Sequence, residues 1–582
     1  MQKTMRSRIF TIGLWVLISA VVLIPRLMGL ADYVTRDEPA WLSQGTNFYY
    51  ALGQREFEQT VYEYQPAVTT MWLVTAATLY YFPEYRGLGQ GYLEYEKDVL
   101  DPFLLAHNRQ PLRLLEYTRA AQVTLICALL IGAGLLLRRL ADDAVALLAT
   151  LLIAFDPFFM GQSRILSHEA MLALFGLISI LAVLLYLKDG RKTLYLVLAG
   201  VAAGLAQLTK SSGIILFPVV GLMFASEAVV GRRGGGLPAA MWREARPFLA
   251  WLAISAITYV MLWPGMWVDP GGMLYQVYGN AFSYALQGGR LKITGSLTPS
   301  AFSLDVGLAG IRDHLSALAW RTTPVTWMGV LLAAAALTAK RVEVMTERVK
   351  LVLVYAAVIA GLYVLMFGIA QGRNSPHYIL TSYVCMNLIA AIGWVAAITW
   401  LARRDSSKWK DWSRYGLVLS LGAIQIFSAA RFHPYYFSYF NPLLEGLQAG
   451  VQYPVFPYGE GLDEAARYLA AKPDARDLTV ISYYGRGCFS YLFPGTTKIL
   501  KPPLFLPGNE SDLIGNIQTS DYLVVYPILQ QRLPDYQAFL AALAPIRTEY
   551  VVGMNNLEYA RVYLVADLPE TFYETLAVQH PN

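Results

Sequence analysis

Charged residues are scarce in this chain of 582 residues: they make up 15% of it, while hydrophobic residues make up 56%. A soluble chain of this length usually carries about a quarter charged residues and divides into several globular domains. Here the few charges stand in short clusters between long apolar runs. The composition excludes an ordinary soluble protein and is typical of a polytopic membrane protein.

Cysteine is rarer still, and Cys127, Cys385 and Cys488 lie far apart in the sequence. Since no two of them have metal-ligand spacing, we expect neither a disulfide framework nor a structural zinc site. The sequence leaves open a divalent cation near acidic side chains, although no recognisable ligand spacing encodes one.

The net charge of +5 is small, and most cations fall in short connections. It indicates membrane topology rather than nucleic-acid binding.

Several catalytic motifs are also missing. The sequence contains no Walker loop, no GxSxG elbow, no HExxH pair and no dinucleotide-binding fingerprint. Nothing therefore indicates that a soluble nucleotide is handled between the short cytoplasmic connections. A reaction on the outer side would need an activated donor that reaches the site from within the membrane.

Eleven runs are apolar and long enough to cross a bilayer, which takes roughly 17 to 25 residues. The first run follows Lys3, Arg6 and Arg8, is long for a signal peptide and lacks a small-residue cleavage site, so we expect a membrane helix. The runs are 9–30, 114–137, 143–160, 169–187, 193–209, 212–230, 247–266, 322–339, 351–370, 378–401 and 415–431.

The distribution of cations predicts the orientation. With a cytoplasmic N-terminus, the cytoplasmic segments hold 21 Lys and Arg residues and the short outer loops hold seven. A twelfth span over the apolar stretch 66–82 would invert this distribution, so we expect an interfacial helix there. The loops 31–112 and 267–321 and the tail from 432 then lie outside the cell.

The tail alternates helical patterns with short β-rich runs, which predicts a small α/β module. The helical patterns are 461-GLDEAARYLAA and 535-DYQAFLAAL, and the β-rich runs are 478-LTVISYY, 521-DYLVVYP, 547-RTEYVVG and 558-EYARVYLV. The expected fold class is an all-α polytopic membrane domain over 1–431 with a small extracytoplasmic α/β domain over 432–582. We expect the protein in the plasma membrane.

Two adjacent acids follow the first run, in 35-TRDEPAW. The position of Asp37 suits a helix N-cap, with Pro39 just inside the helix. The functional alternative is a general base at the bilayer surface that takes a proton from a hydroxyl. Both interpretations stay open from the residues alone.

A second outer connection, 162-QSRILSHEAMLAL, brings Arg164, His168 and Glu169 to the start of a run. An acid there can serve a helix N-terminus through the helix dipole. It can also be a second carboxylate that faces the same cavity as Asp37. By the predicted topology both acids lie on the outer side.

Lys210 in 204-GLAQLTKSSGIILFP separates two apolar runs almost without a loop. Such a lysine can snorkel to the interface, or it can bind a phosphate with help from Ser211 and Ser212. Arg373 in 373-RNSPHYIL is either a loop cation or a ligand for an anion. Aromatic clusters such as 61-VYEYQP and 432-FHPYYFSYFNP suit sugar stacking or an interfacial aromatic belt.

These features in this order resemble the GT-C membrane glycosyltransferases, in particular glycosyltransferase family 39, the protein O-mannosyltransferase-like branch with its bacterial aminoarabinose-transferase relatives. The resemblance covers about 9–440 and rests on the Asp-Glu pair, 65-QPAVTTMWL, the outer Arg…Glu and Gly-Leu-Ala-x-Leu-Thr-Lys. The segments 433-HPYYFSYFNPLLEG and 458-YGEGLDEAARYL are similar to a bacterial subset. The resemblance implies an inverting sugar transfer from a polyprenyl-phosphate donor to a hydroxyl of a protein, lipid or glycan.

The resemblance also implies roles for individual residues. The expected catalytic residues are Asp37, Glu38 and Glu169, and the expected phosphate ligands are Lys210, Arg164 and Arg373. Substrate-lining residues would be Arg36, Tyr64, His168, His377 and Tyr378. This sequence departs from the family's pattern at two places, one of which bears on the acceptor and the other on Arg373. The loop 267–321 is too short for the trefoil insertion of eukaryotic relatives, and His377-Tyr378 stands where the family often has Arg-Tyr.

Two other classes compete with the glycosyltransferase. A transporter or lipid flippase usually shows paired repeats and ionisable residues near the bilayer midplane. Here most charges lie at the ends of the runs, and Glu227 and Asp156 are the clearest interior exceptions. An assembly subunit would need no convergent acids and cations in its outer loops.

Overall fold

The computed structural model divides into two compact units. The first unit comprises Met1–Met28, Gln44–Gly91 and Thr118–Asn441, and the second comprises Gly29–Ser43, Tyr92–Tyr117 and Pro442–Asn582. Two pieces of the long first loop thus cluster with the C-terminal part of the chain. The described residues are 2–62, 65–94, 97, 99–231, 236–287, 304–338, 344–370, 373, 375–402, 410–446, 457–506, 508–528, 534–554 and 556–578.

The described residues of the first unit form helices joined by turns and contain no strand. Two of its helices, α2 and α5, begin in segments of the second unit. The helices are α1 Gln2–Leu27, α2 Glu38–Gln54, α3 Val68–Tyr81, α4 Leu100–Ala106 (of the second unit), α5 Pro111–Leu140, α6 Asp143–Ala154, α7 Pro157–Arg164, α8 Glu169–Lys188, α9 Thr193–Thr209, α10 Leu216–Val230, α11 Gly236–Leu262, α12 Gly265–Val268, α13 Pro270–Leu274, α14 Asn280–Gln287, α15 Leu304–Arg321, α16 Pro324–Thr338, α17 Glu347–Ile369, α18 Leu380–Ala402 and α19 Lys410–Ala430.

Every predicted apolar run coincides with a helix or a bent pair of helices. Six helices of the described residues are long and apolar enough to cross a bilayer, and the bent pair α6–α7 would make a seventh. The other four runs coincide with shorter apolar helices over Ile12–Leu27, Thr193–Thr209, Pro324–Thr338 and Arg414–Ala430. The chain is thus a multi-pass membrane protein, and eleven spans stay a prediction. The stretch 66–82 forms α3, whose interfacial position also stays a prediction.

The bend of 66° between α6 and α7 follows from 156-DP. Pro157 removes a backbone donor and suits only the first turn of a helix, so a new helix begins there. Asp156 caps that helix, because its side chain accepts a hydrogen bond of 2.9 Å from the backbone nitrogen of Phe159. Asn387 of α18 donates a second bond of 3.2 Å to the same carboxylate. The interior acid Asp156 therefore has a structural role.

The other interior acid, Glu227 near the end of α10, forms an ion pair with Lys188 at the end of α8. Helix α8 is buried along nearly all of its length and is central to the first unit. The two side chains are partly exposed, and their ion pair compensates both charges at these helix ends.

Small residues let the helices of the first unit approach closely. Helices α16 and α18 meet at Gly329 and Gly393, where a Cβ on Gly329 would stand 2.6 Å from the carbonyl oxygen of Ala390. A Cβ on Gly393 would collide with the Gly329 carbonyl and stand 2.5 Å from the nitrogen of Ala333. Such small-residue contacts are typical of membrane helix interfaces, where van der Waals packing drives association.

The second unit contains a mixed sheet of five strands in the order β2-β1-β3-β5-β4. Strand β1 is parallel to β2 and β3, β5 is antiparallel to β3, and β4 and β5 form a hairpin. The strands are β1 Thr479–Tyr483, β2 Thr496–Leu500, β3 Tyr522–Val525, β4 Tyr550–Met554 and β5 Leu557–Leu564. The helices of this C-terminal part are α20 Leu462–Ala470, α21 Glu510–Gln518, α22 Pro534–Leu543 and α23 Glu570–Val578.

These elements confirm the expected fold class, a helical membrane domain followed by a small α/β domain. Each predicted strand and both predicted helices of the tail are present. Strand β2, 496-TTKIL, lacks a continuous apolar run, so the sequence pattern missed it. The helices α21 and α23 were missed as well, because each has only nine residues and a short apolar stripe.

The packing of α16 against α18 makes a testable prediction. Gly393→Ala should destabilise the detergent-solubilised protein by about 1 to 3 kcal/mol, since the added methyl group must displace backbone atoms. A lowered midpoint of thermal unfolding measures the effect. The matched control is Gly361→Ala in α17, where an added Cβ meets nothing within 4 Å. Equal midpoints for both variants would contradict the close approach.

Candidate functional site

A cavity of about 150 Å³ in the first unit collects most of the expected phosphate ligands. Its walls are mainly apolar and come from α14, the end of α17 and the turn between α9 and α10. Its polar and charged lining residues are Lys210, Ser211, Ser212, Tyr278, Tyr284, Arg373 and Tyr378. The cavity thus combines an apolar wall with two cations and three phenols.

Lys210 lies where α9 ends, and its side chain is only 3% exposed. Its ammonium forms an ion pair with Glu169, the first residue of α8, whose side chain is 5% exposed. The same ammonium lies 4.5 Å from the ring centroid of Tyr378 and 5.6 Å from that of Phe367. Lys210 therefore does not snorkel into open solvent: a carboxylate and two ring faces compensate its charge.

Arg373 reaches the same tyrosine from the other side. Its Nη1 donates a hydrogen bond of 2.9 Å to the hydroxyl of Tyr378, and its guanidinium lies 4.1 Å from the ring centroid of Tyr284. The backbone carbonyl of Arg373 lies 3.0 Å from Nε2 of His314 in α15. Tyr378 is therefore shared by the two cations, Lys210 over its ring and Arg373 at its hydroxyl.

Two cations on one mainly apolar cavity suit an anion that carries an apolar tail. Arg and Lys both bind phosphate oxygens through charge-assisted hydrogen bonds, Arg as a planar fork and Lys as a point charge. The apolar wall, which includes Phe282, Met366 and Phe367, suits hydrocarbon. The formal charge of Lys210, Arg373 and Glu169 together is one positive unit, which matches a phosphodiester.

The expected histidines flank this arrangement. His168 is 4% exposed, and burial together with the charge of Lys210 lowers its pKa well below the ordinary value. His168 is therefore neutral at pH 7. The ring centroid of His377 lies 4.3 Å from that of Tyr378. His377 thus contacts Tyr378, and His168 senses the charge of Lys210, but neither histidine is among the lining residues of the cavity.

Arg164 is placed differently from the other expected phosphate ligands. At the end of α7 its guanidinium donates to the backbone carbonyls of Pro25, at 2.9 Å, and Met28. It also donates to the Tyr436 hydroxyl at 3.3 Å and lies 5.3 Å from that ring. These contacts fasten the end of α1 to α7, which indicates a structural function, and Arg164 does not line the cavity.

The Asp-Glu pair belongs to the second unit, and its two carboxylates differ in every respect. Oε2 of Glu38 is buried and accepts hydrogen bonds from the backbone nitrogen of Thr35 at 2.8 Å and from its hydroxyl at 2.9 Å. Glu38 is the first residue of α2, and its carboxylate binds the turn that leads into this helix. Glu38 therefore holds the start of α2.

Asp37 instead faces solvent, with its side chain 58% exposed. Its Oδ1 lies 3.3 Å from Nε of Arg36, and Nη1 of Arg36 donates a hydrogen bond of 3.1 Å to the hydroxyl of Tyr484. Burial raises the pKa of Tyr484, so this phenol is neutral at pH 7. Burial also raises the pKa of Cys488 well above its ordinary value, which makes that nearby thiol a poor nucleophile.

The structure thus brings together Glu169, Lys210, Arg373, His168, His377 and Tyr378, and separately Arg36, Asp37 and Glu38. Tyr64 lies outside the described residues. The expectation that Asp37 and Glu169 face one cavity stays a prediction, and so do the catalytic roles. Among the described residues, no group of three or more His, Cys, Asp and Glu side chains could hold a metal ion.

Sequence reasoning missed the contributions of Tyr278, Tyr284 and Phe282 to the cavity. They come from the predicted second outer loop, 267–321. The pattern 275-YQVYGNAFSY places aromatic residues at helical spacing around Tyr278 and could have indicated them. Gln207 supports this wall, since its Oε1 accepts a hydrogen bond of 2.8 Å from the hydroxyl of Tyr278.

Comparison with known proteins bears on the first unit. Residues 112–267 match the family described as dolichyl-phosphate-mannose-protein mannosyltransferase. ArnT from Cupriavidus metallidurans bound to undecaprenyl phosphate is similar at 13% identity and a TM-score of 0.45, over 94% of this chain and 98% of that chain. Archaeal oligosaccharyltransferase AglB from Archaeoglobus fulgidus, in complex with an inhibitory peptide and a dolichol-phosphate, is similar at 12% identity and a TM-score of 0.43, over 92% and 71%. No curated protein sequence matches significantly.

The family match confirms the resemblance noted from the motifs and supports a glycosyltransferase. The matched residues include Arg164, Glu169 and Lys210. At TM-scores below 0.5, the two solved structures decide neither the substrate nor the role of any residue.

The buried pair of Lys210 and Glu169 makes a stability prediction. Glu169→Leu should destabilise the protein by about 3 to 5 kcal/mol, because it leaves a buried ammonium without its carboxylate. The double variant Glu169→Leu with Lys210→Met should recover most of that loss, since both charges are then gone. Thermal unfolding in detergent measures both. Additive losses in the double variant would argue against the pair.

Proposed function

We infer, from the family that residues 112–267 match and from the site, that this chain transfers a sugar from a polyprenyl-phosphate donor to an acceptor hydroxyl. The sugar is mannose or another hexose or pentose, and the transfer inverts the anomeric configuration. The observation that carries the proposal is the convergence of Lys210 and Arg373 on one mainly apolar cavity.

The chemistry is a single displacement at the anomeric carbon. The acceptor oxygen attacks this carbon, the bond to the phosphate oxygen breaks, and its electron pair stays on the phosphate. The acceptor proton passes to a base. The phosphate gains one negative charge in this step, so cations placed at its oxygens stabilise the transition state more than the ground state.

Lys210 and Arg373 supply this positive charge. Glu169 offsets part of it in the absence of donor and keeps the lysine in one place, because a buried ammonium is costly without a counter-charge. Tyr378 links the two cations, since Lys210 lies over its ring and Arg373 donates to its hydroxyl. Donor binding therefore requires little rearrangement of either cation, which favours catalysis by preorganisation.

Asp37 is the better candidate for the base of the Asp-Glu pair. Glu38 is buried and accepts two hydrogen bonds from Thr35, so it has no access to an acceptor hydroxyl. Asp37 is exposed and, being a carboxylate, can accept the proton as the hydroxyl attacks. Its ion pair with Arg36 leaves a second oxygen for the acceptor.

The site belongs on the extracytoplasmic face in this proposal. The support is the distribution of cations, with 21 on the segments of one side against seven on the short loops of the other. Lipid-linked donors serve such a face because it has no supply of soluble activated nucleotides. The acceptor is a protein, a lipid or a glycan.

Asp37→Asn should lower transfer from a polyprenyl-phosphate sugar by about 10²- to 10⁴-fold, the usual contribution of a general base. Purified protein in detergent, with the thermal midpoint as a check on folding, provides the assay. Glu58→Gln, an exposed acid of the same long loop, is the control and should transfer at the normal rate. Undiminished transfer by Asp37→Asn removes this residue from the mechanism.

Lys210→Met should weaken binding of the polyprenyl-phosphate donor by roughly tenfold or more, as expected for a charge-assisted hydrogen bond. Acceptor affinity should change little. The matched control is Lys188→Met, which breaks the ion pair at the other end of α8 and leaves the cavity unaltered. Equal donor affinity in the Lys210 and Lys188 variants would refute the phosphate role.

A further inference from the structure

We propose that the C-terminal α/β module is a positioning element for Asp37, acting through Tyr484 and Arg36. The proposal rests on the proposed function, because Asp37 is its candidate base. Tyr484 is a positioning residue in this proposal: it holds Arg36, and Arg36 orients the carboxylate of Asp37. The contacts involved all lie within the second unit.

Tyr484 is held in an unusual conformation directly after strand β1. Its φ of +49° lies in the left-handed region, which costs a residue with a Cβ of order 1 kcal/mol. Its ring packs against Tyr483, at 4.8 Å between centroids, and against Tyr526, at 5.9 Å. Neighbouring rings therefore fix the direction of its hydroxyl.

The position of Tyr484 in the sheet is also informative. Strand β1 lies between β2 and β3 and is parallel to both, so the chain leaves the carboxyl ends of β1 and β3 toward opposite sides. Open α/β sheets bind ligands at such a switch point. Tyr484 follows β1 there and Tyr526 follows β3, with the Tyr526 hydroxyl donating to Glu460 at 3.2 Å.

This edge of the sheet receives the segment that carries Asp37. A Cβ on Gly459 would stand 3.1 Å from the carbonyl oxygen of Val34, and a Cβ on Gly487 would collide with the ring of Pro39. Both glycines have positive φ, at +104° and +76°, so two constraints favour glycine at each position. The segment 34–39 therefore occupies the place that a ligand takes in other α/β sheets.

A second set of contacts fixes the start of α2. Nη2 of Arg486 donates to the hydroxyl of Ser43 at 3.2 Å, and its Nε lies 3.6 Å from Asp101. The hydroxyl of Tyr491 donates to the other oxygen of Asp101 at 2.8 Å. Residues 484–491 thus hold the segment before Asp37 and the helix after it.

The contact with Tyr484 lowers the entropic cost of the ion pair between Arg36 and Asp37. Arg36 and Asp37 are 48% and 58% exposed, and such exposed pairs are usually worth little because two long side chains must lose freedom. Here Tyr484 already restrains Arg36, through its hydroxyl at 3.1 Å and its ring at 5.6 Å. The remaining cost of ordering Asp37 is small, so its carboxylate keeps one direction.

Carbodiimide labelling of Asp37, read by mass spectrometry of the full-length protein in detergent, tests the contact without any substrate. Tyr484→Phe keeps the ring and removes the hydroxyl, and it should speed labelling of Asp37 roughly 2- to 5-fold, as the loss of one hydrogen bond predicts. Glu58 in the same sample is the internal reference. Arg36→Gln, at an exposed position, should speed labelling at least as much and covers the case in which Tyr484→Phe folds poorly.

The transfer assay then tests positioning. Tyr484→Phe should lower kcat roughly 3- to 10-fold and leave KM for the donor unchanged, since the hydroxyl supports only the base. Tyr468→Phe is the matched control in the same unit, because that hydroxyl bonds to Glu549 instead. Equal labelling in wild type, Tyr484→Phe and Arg36→Gln, or equal kcat in Tyr484→Phe and Tyr468→Phe, overturns the positioning role. Absence of transfer in the wild type overturns the proposed function alone, and labelling still decides the contact.

Discussion

A charge buried among apolar helices must be compensated, and the pair of Lys210 and Glu169 is where this constraint organises the first unit. The lysine ends α9 and the glutamate begins α8, so the ion pair ties two helix ends together. Tyr378 and Arg373 then complete the surroundings of the ammonium. Lys210 and Glu169 are buried, so their charges compensate each other within the protein. Such a preorganised charge suits the phosphate site that we propose.

The Asp-Glu pair shows that neighbours in sequence can have opposite surroundings. Glu38 is buried and accepts a hydrogen bond from the backbone before α2, while Asp37 is exposed beside Arg36. The contact with Thr35 explains the difference, since the backbone nitrogen and the hydroxyl of Thr35 both donate to Glu38. The helix that begins at Glu38 places Asp37 directly before its first residue. A structural role for Glu38 is therefore compatible with the proposed role of Asp37 as the base.

The helices were predictable because a membrane span needs a long apolar run, and each run coincides with a helix or a bent pair. The chemistry of the cavity was predictable in part, since ionisable residues at helix ends are few and conspicuous. Arg164 shows the limit: its sequence position suited a phosphate ligand, yet it binds backbone carbonyls at Pro25 and Met28. The contact of Arg36 with Tyr484 joins residues far apart in the chain, and no local pattern encodes it.

The two candidate functions, donor binding and proton transfer, depend on different parts of the chain. Lys210, Arg373 and Tyr378 belong to the first unit, whereas Asp37, Arg36 and Tyr484 belong to the second. The donor of the proposed reaction carries a lipid tail, so residues on membrane helices suit its phosphate. The proposed base, Asp37, belongs instead to the unit that contains the α/β fold. Kinetics can separate the two contributions, because a lost phosphate contact weakens donor binding and a displaced base slows the bound complex.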